Sequence, residues 1–311
     1  MKKEELTFLS SDKITNIRYV VYSPEEEPTA ILQIAHGMDE FIDRYEGFAQ
    51  YLCSKGFLVT GNDHLGHGGS VTDKSKWGYF AKEDGNRCLI EDMHELTKIT
   101  KEKHPGLPYF LLGHSMGSFY ARQYMFDYSN ELNGAIVMGT GMAPKAACNF
   151  GMTLCKTMAV FKGWEYRSNL VNGIVNGSNM KGIDNPRTSA DWLTKNDSIV
   201  DWYLKEPRCT FVFTLNGFYN MFKGISRLYD TDLINKVEKR LPVLFVSGAC
   251  DPVGEYGAGV ERSYKTLKDA GMMDVSMKLY PNDRHEILNE TDKEEVYKDL
   301  YDWLYAKLTL R

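Results

Sequence analysis

The stretch that most constrains this chain is Gly113-His114-Ser115-Met116-Gly117. It follows the apolar run Tyr109-Phe110-Leu111-Leu112 and precedes Ser118-Phe119-Tyr120-Ala121-Arg122-Gln123-Tyr124-Met125, whose apolar residues recur at helical spacing. A Gly-x-Ser-x-Gly turn between a strand and a helix reverses the chain within one residue. The serine is forced into a strained backbone conformation, and the flanking glycines let strand and helix close up. Its hydroxyl is pushed outward, and the next amide is left unpaired at the helix N-terminus, where it can stabilise an oxyanion. Ser115 is therefore the candidate nucleophile, and the N–H of Met116 one half of an oxyanion hole.

A strand that feeds a helix in this way needs a parallel sheet around it. Residues 6–10 and 17–22 read as an opening antiparallel hairpin, and residues 30–35 are apolar almost throughout, as expected of a strand covered on both faces. Helical patterns at 45–54 and 89–100 then alternate with strands at 57–61 and 109–112, and a further strand is expected at 134–138. After Gly139-Thr140-Gly141 the rhythm breaks. Residues 143–239 show no clear buried strand and offer helical stretches rich in Met, Phe and Trp. Alternation resumes with strands at 242–247 and 275–280 and helices near 257–270 and 294–308. The expected organisation is one α/β domain, with a mostly parallel sheet and helices on both faces, formed by residues 1–142 and 240–311 and interrupted by a helical insertion at 143–239.

Composition narrows the partners. The net charge of −5 comes with no basic cluster suited to a phosphate backbone, which argues against nucleic acid. No apolar segment follows the charged first residues as in a secretory leader, and none approaches the length of a membrane span. Six cysteines without metal-ligand spacing are expected to be reduced thiols in a cytoplasmic protein, with no metal and no cofactor.

A serine hydroxyl needs a base, and the base needs a group to orient it. Of the seven histidines, His94 and His104 read as surface residues, and His114, beside Ser115, points away from it. His36, His64 and His67 precede the serine, whereas this architecture orders its triad as nucleophile, acid, histidine. His285 remains, just past the strand at 275–280. Asp251 follows the strand at 242–247, so both residues lie at carboxyl ends of strands, where open α/β sheets build their sites. Asp283 is the rival acid, but it is only two residues from the histidine it would have to back. Gly37 allows the chain after residues 30–35 to turn its next amide inward, so the N–H of Met38 is the expected second oxyanion donor.

His36-Gly37 with Arg44-Tyr45, Asp63-His64-Leu65-Gly66-His67-Gly68-Gly69-Ser70, the serine turn, Gly248-Ala249-Cys250-Asp251-Pro252-Val253 and Tyr280-Pro281-Asn282-Asp283-Arg284-His285-Glu286 together resemble the monoacylglycerol lipase and lysophospholipase group of α/β-hydrolases. The resemblance covers nearly the whole core. It implies an α/β-hydrolase fold, a Ser115/Asp251/His285 triad, a Met38/Met116 oxyanion hole and a lid-like cap over the site. Within it, Asp63 to Ser70 is a tight structural loop rather than a metal site.

The expected function is hydrolysis of a carboxylic ester with an acyl chain, such as a lysophospholipid or monoacylglycerol, through an acyl-enzyme. Transient contact of the cap with a membrane surface is compatible with such a substrate. A feruloyl-type esterase or an aminopeptidase on the same scaffold, and a non-catalytic ligand-binding protein, are the competing readings. The aromatic stretch 211–215 with Phe218, Tyr219, Met221 and Phe222 either lines an acyl pocket or packs the insertion onto the core. Under the first reading, Phe213 and Phe218 are expected to set acyl length.

Overall fold

The computed structural model describes residues 1–308. Its strands, in chain order, are β1 (Lys2–Leu9), β2 (Asn16–Ser23), β3 (Ala30–Ala35), β4 (Phe57–Asn62), β5 (Tyr109–His114), β6 (Gly134–Met138), β7 (Val243–Gly248) and β8 (Val275–Tyr280). They lie side by side in the order β1-β2-β4-β3-β5-β6-β7-β8. The hairpin β1–β2 and the β2–β4 pair are antiparallel, and every pair beyond them is parallel. The chain order reverses at β3, with β4 on one side and β5 on the other. A crevice opens at the carboxyl ends of such strands.

The helices are α1 (Glu46–Cys53), α2 (Gly85–Lys103), α3 (Met116–Tyr128), α4 (Lys145–Lys162), α5 (Asn169–Asn176), α6 (Asp197–Lys205), α7 (Leu215–Arg227), α8 (Thr231–Ile234), α9 (Ala258–Asp269) and α10 (Lys293–Leu308). Every residue of β3 to β7 is buried, which explains why apolar residues predominate in them. Alternate side chains divide between two layers. Tyr109 and Leu111 of β5 pack with Leu89 and Met93 of α2 and Val260 of α9. Phe110 and Leu112 pack with Phe48 and Leu52 of α1 and Leu300 and Leu304 of α10.

Between β6 and β7 the chain forms α4 to α8, and among the described residues its only ladder contact is an isolated bridge between Arg167 and Thr214. This stretch has two characters. Phe213 and Phe218 are wholly buried in the layer that also holds α2 and α3, and α7 packs on both helices. By contrast, Phe150, Val160 and Phe161 of α4 and Leu170 of α5 are exposed.

The strand-to-helix turn explains its own glycines. Ser115 stands at φ 53°, ψ −120° between β5 and α3. A Cβ on Gly113 would come within 2.6 Å of the Ala121 methyl, and one on Gly117 within 2.6 Å of the Ala35 carbonyl carbon. Neither neighbour can move without shifting α3 or β3. Gly117→Ala is therefore expected to lower stability by about 1–3 kcal/mol through overpacking. Gly173→Ala, on an exposed turn of α5 with open space around it, should raise stability by roughly 0.5–1 kcal/mol. Urea denaturation of the two variants checks the contrast. Equal effects would show that close approach is not what selects glycine at 117.

Candidate active site

Ser115 and His285 line one cavity of about 600 Å³ at the carboxyl ends of β3, β5 and β8. His285 is buried, and its Nδ1 lies 3.0 Å from Asp251 Oδ2. The carboxylate can only accept, so Nδ1 carries a proton, and in the neutral ring the lone pair is on Nε2. Asp251 is fully buried and its other bonds hold it in place: Ser247 Oγ donates to Oδ2 at 2.9 Å and the Val253 amide to Oδ1 at 2.8 Å. Asp283 faces elsewhere, with Lys195 Nζ donating to it at 3.1 Å. Burial pushes the Asp283 carboxyl up to about 6, with Lys195 opposing.

Met38 and Met116 also line the cavity. Neither backbone N–H has an acceptor among the described residues. The loop carrying Met38 is held from behind: the His64 amide donates to His36 Nε2 at 3.0 Å, which leaves His36 Nδ1 to donate to the Gly37 carbonyl at 2.8 Å. Asp63 braces the same floor, accepting from the amides of Ile42 at 2.8 Å and Gly69 at 2.7 Å and from Arg18 Nη1 at 3.0 Å. Within residues 63–70, the Gly69 amide and the Ser70 hydroxyl both bond back to Asp63.

The sequence reading missed a buried charge network beneath the site. Glu40 Oε1 accepts from the Gly37 amide at 2.5 Å and Tyr45 Oη at 2.8 Å, and lies 3.0 Å from His114 Nδ1. Arg44 donates to Glu40 Oε2 at 2.9 Å and forks onto both Glu286 oxygens at 2.7 Å. Despite burial, His114 and Arg44 hold Glu40 below the usual carboxylate range. Glu286 is lowered as well, Arg44 outweighing burial. Burial alone would depress His114, but the bond to Glu40 raises it. With His114 Nε2 facing the His285 carbonyl at 3.4 Å, both ring nitrogens face acceptors, as an imidazolium requires. Two carboxylates and two cations then balance. Arg44-Tyr45 and Glu286 are present in the motifs quoted above, but nothing in their spacing shows that they meet.

A second feature came only with the structure. Residues 192–195 lie against the histidine loop: the His285 amide faces the Trp192 carbonyl at 3.4 Å, the Glu286 amide donates to the Leu193 carbonyl at 2.7 Å, and the Trp192 ring sits 5.1 Å from the His285 ring. The expectation for Phe213 and Phe218 is corrected. Both are buried in the core, whereas Phe211, Val212, Met221 and Phe222 line the cavity. Phe213 packs edge-on to His67 and Phe80, which turns it away from the cavity.

A family model described as Hydrolase_4: Serine aminopeptidase, S33 matches residues 26–292. The monoacylglycerol lipase of Mycolicibacterium smegmatis is 26% identical over 292 residues, spanning 94% of this chain and 94% of that one. Human monoglyceride lipase is 24% identical over 299 residues, spanning 91% of this chain and 84% of that one. The crystal structure of a highly thermostable carboxyl esterase from Bacillus coagulans in complex with glycerol is similar with a TM-score of 0.92 and 30% identity, over 99% of this chain and 100% of that one.

The network carries a pH signature. His114 is raised above its ordinary 6.5, so its contribution is complete below that pH and is lost as pH rises through the folded value. Glu40 and Glu286 are lowered from 4.5, so theirs is complete above that pH and is lost on acidification. Glu40→Gln removes one partner of a buried ion pair together with the bond that keeps His114 charged, and should cost about 3–5 kcal/mol near pH 6. It should also flatten the fall in stability that the unsubstituted protein shows as pH rises above the ordinary 6.5 of His114. Urea titrations across that range check this, and identical slopes in the two proteins would contradict it.

Proposed function

The chain belongs to the Hydrolase_4 family (serine aminopeptidase, S33) of α/β-hydrolases and is a hydrolase, and from that premise we propose that it cleaves carboxylic monoesters of the lipid type through an acyl-enzyme on Ser115. The observation that carries this reading is the convergence on one cavity of a strained serine, a histidine backed by a buried carboxylate at 3.0 Å, and two amides without acceptors.

In this mechanism, Ser115 Oγ attacks the ester carbonyl carbon as its proton passes to His285 Nε2. Asp251 holds the ring in the required tautomer and stabilises the imidazolium that forms. The carbonyl oxygen becomes an oxyanion bound by the Met38 and Met116 amides, which have no other acceptor to give up. The tetrahedral intermediate collapses with loss of the alcohol, which takes the proton from His285. Water, deprotonated by the same histidine, then attacks the acyl-enzyme and releases the carboxylic acid and the serine.

A lipid-type substrate is supported by the relatives' names and by the cavity wall, where Met38, Val175, Leu193, Phe211, Met221 and Phe222 offer an apolar surface to an acyl chain. Residues 143–239 serve as the cap that encloses it. The cap divides in function: residues near 211–227 anchor it, and the exposed apolar side chains of α4 and α5 are what a transient contact with a lipid surface would use. No helix among the described residues is long and apolar enough to cross a membrane.

Ser115→Ala should lower kcat on a nitrophenyl ester by about 10⁴-fold or more with the fold retained by circular dichroism. Asp251→Asn should cost on the order of 10⁴-fold and Asp283→Asn far less. If Asp283→Asn proved the more damaging, the acid would be misassigned.

Each added acyl carbon should raise kcat/KM until the cavity fills, because a buried methylene contributes about 0.8 kcal/mol. A nitrophenyl ester series from acetate to palmitate measures the profile, and Phe211→Ala or Phe222→Ala should move its optimum to longer chains. A flat series, or faster turnover of an aminoacyl amide than of any ester, would favour a peptidase.

A further inference from the structure

One polar group in the cavity has no part in the mechanism above. Asp39 follows directly on Met38, lines the same cavity as Ser115, and stands at φ 54°, a backbone conformation that Asp tolerates better than most residues. Its Oδ1 is sealed from solvent and has no hydrogen-bond partner. In a side chain that is otherwise only half-buried, this oxygen is left without a bond, which is costly unless a water or a ligand completes it. We propose that Asp39 is a specificity residue that hydrogen-bonds a free hydroxyl on the alcohol portion of the ester, selecting esters of polyols over esters of simple alkyl alcohols.

The position decides which part of the substrate Asp39 meets. The Met38 amide holds the carbonyl oxygen in the proposed function, on which this inference rests, and adjacent Cα atoms are about 3.8 Å apart. Asp39 therefore faces atoms close to the reacting bond and not the end of the acyl chain. On the acyl side those atoms are methylenes, which offer a carboxyl nothing. On the alcohol side of a glycerol monoester, the neighbouring carbons carry hydroxyls.

The state of the carboxyl favours a hydroxyl over an ammonium. Burial pushes Asp39 well above the usual carboxylate range; Arg167 pulls it down and the charge of Glu40 adds to the rise. In either protonation state the carboxyl can accept from a hydroxyl, and the neutral form, which burial favours, can also donate to one. An ammonium ion would require the ionised form, which burial disfavours.

The test compares 1-monooctanoylglycerol with ethyl octanoate, which share an acyl chain, and adds an aminoacyl nitroanilide. Asp39→Gly suits the left-handed backbone and deletes the carboxyl; Asp39→Asn keeps a donor and an acceptor in place. The ratio of kcat/KM for the glycerol ester to that for the ethyl ester should fall about 10- to 100-fold in Asp39→Gly and recover most of its value in Asp39→Asn. Equal losses on both esters, or none on either, would overturn the assignment, because a residue that merely shapes the loop cannot distinguish the two alcohols. So would turnover of the nitroanilide that depends on Asp39. If the unsubstituted protein cleaves neither ester, the ester-hydrolase reading fails and takes this inference with it. If it cleaves both without a difference that depends on Asp39, only the inference fails.

Discussion

Everything at this site depends on one backbone residue held where an ordinary side chain does not belong. Ser115 keeps its positive φ because β5 ends, α3 begins, and the space between is closed by Gly113 and Gly117 against Ala121 and Ala35. Strain of this kind persists only where the surroundings over-determine it. The sheet does so here, because β5 is flanked by β3 and β6 in parallel register and its inward residues are locked in both layers. The remaining groups come from neighbouring strand ends: Met38 from the loop after β3, Asp251 from that after β7, and His285 from that after β8. Neighbouring strands lie roughly 4.8 Å apart, so the histidine must reach back past the end of β6 to approach the serine. Gly139, at φ 58°, makes that reach possible, since a Cβ there would stand 3.2 Å from His285 Cε1.

Geometry alone would leave these loops free to drift apart. Glu40, Arg44, His114 and Glu286 tie the loops after β3, β5 and β8 to one another through a buried set with equal numbers of positive and negative groups. Such a set adds little net stability over an apolar core, but it is intolerant of losing any one member. That intolerance suits a site whose amide and imidazole positions must be held closely. The contacts of residues 192–195 with the histidine loop add a tether from the helical insertion, so the insertion and His285 are not mechanically independent.

Much of this was legible in the chain. β3 to β7 announce themselves because strands covered on both faces are apolar at most positions, and the serine turn and the two strand-end loops fall in the nucleophile-acid-histidine order of this architecture. The charge network was not legible, because Arg44 and Glu286 stand 242 residues apart and nothing local marks them as partners. The aromatic stretch at 211–222 allowed either a pocket wall or packing onto the core, and the structure divides it between the two. Phe211 and Phe213 lie in an irregular segment, where neither a period of two nor one of 3.6 sets the facing, and only the packing of Phe213 on Phe80 and His67 decides it. Asp39 carried no signal, since an acidic residue in a loop is ordinarily solvated.

The central claim is that an acyl group passes through Ser115, and trapping that intermediate tests it most directly. The protein would be mixed with nitrophenyl octanoate, quenched in acid within the first turnover, digested, and its peptides weighed. The account predicts a burst of one nitrophenolate per chain and an octanoyl group on the peptide containing Ser115. Steady release without a burst or an adduct would leave the trapped intermediate unproven, whereas an octanoyl group found on another nucleophile, such as the cavity-lining Cys209, would contradict the account outright.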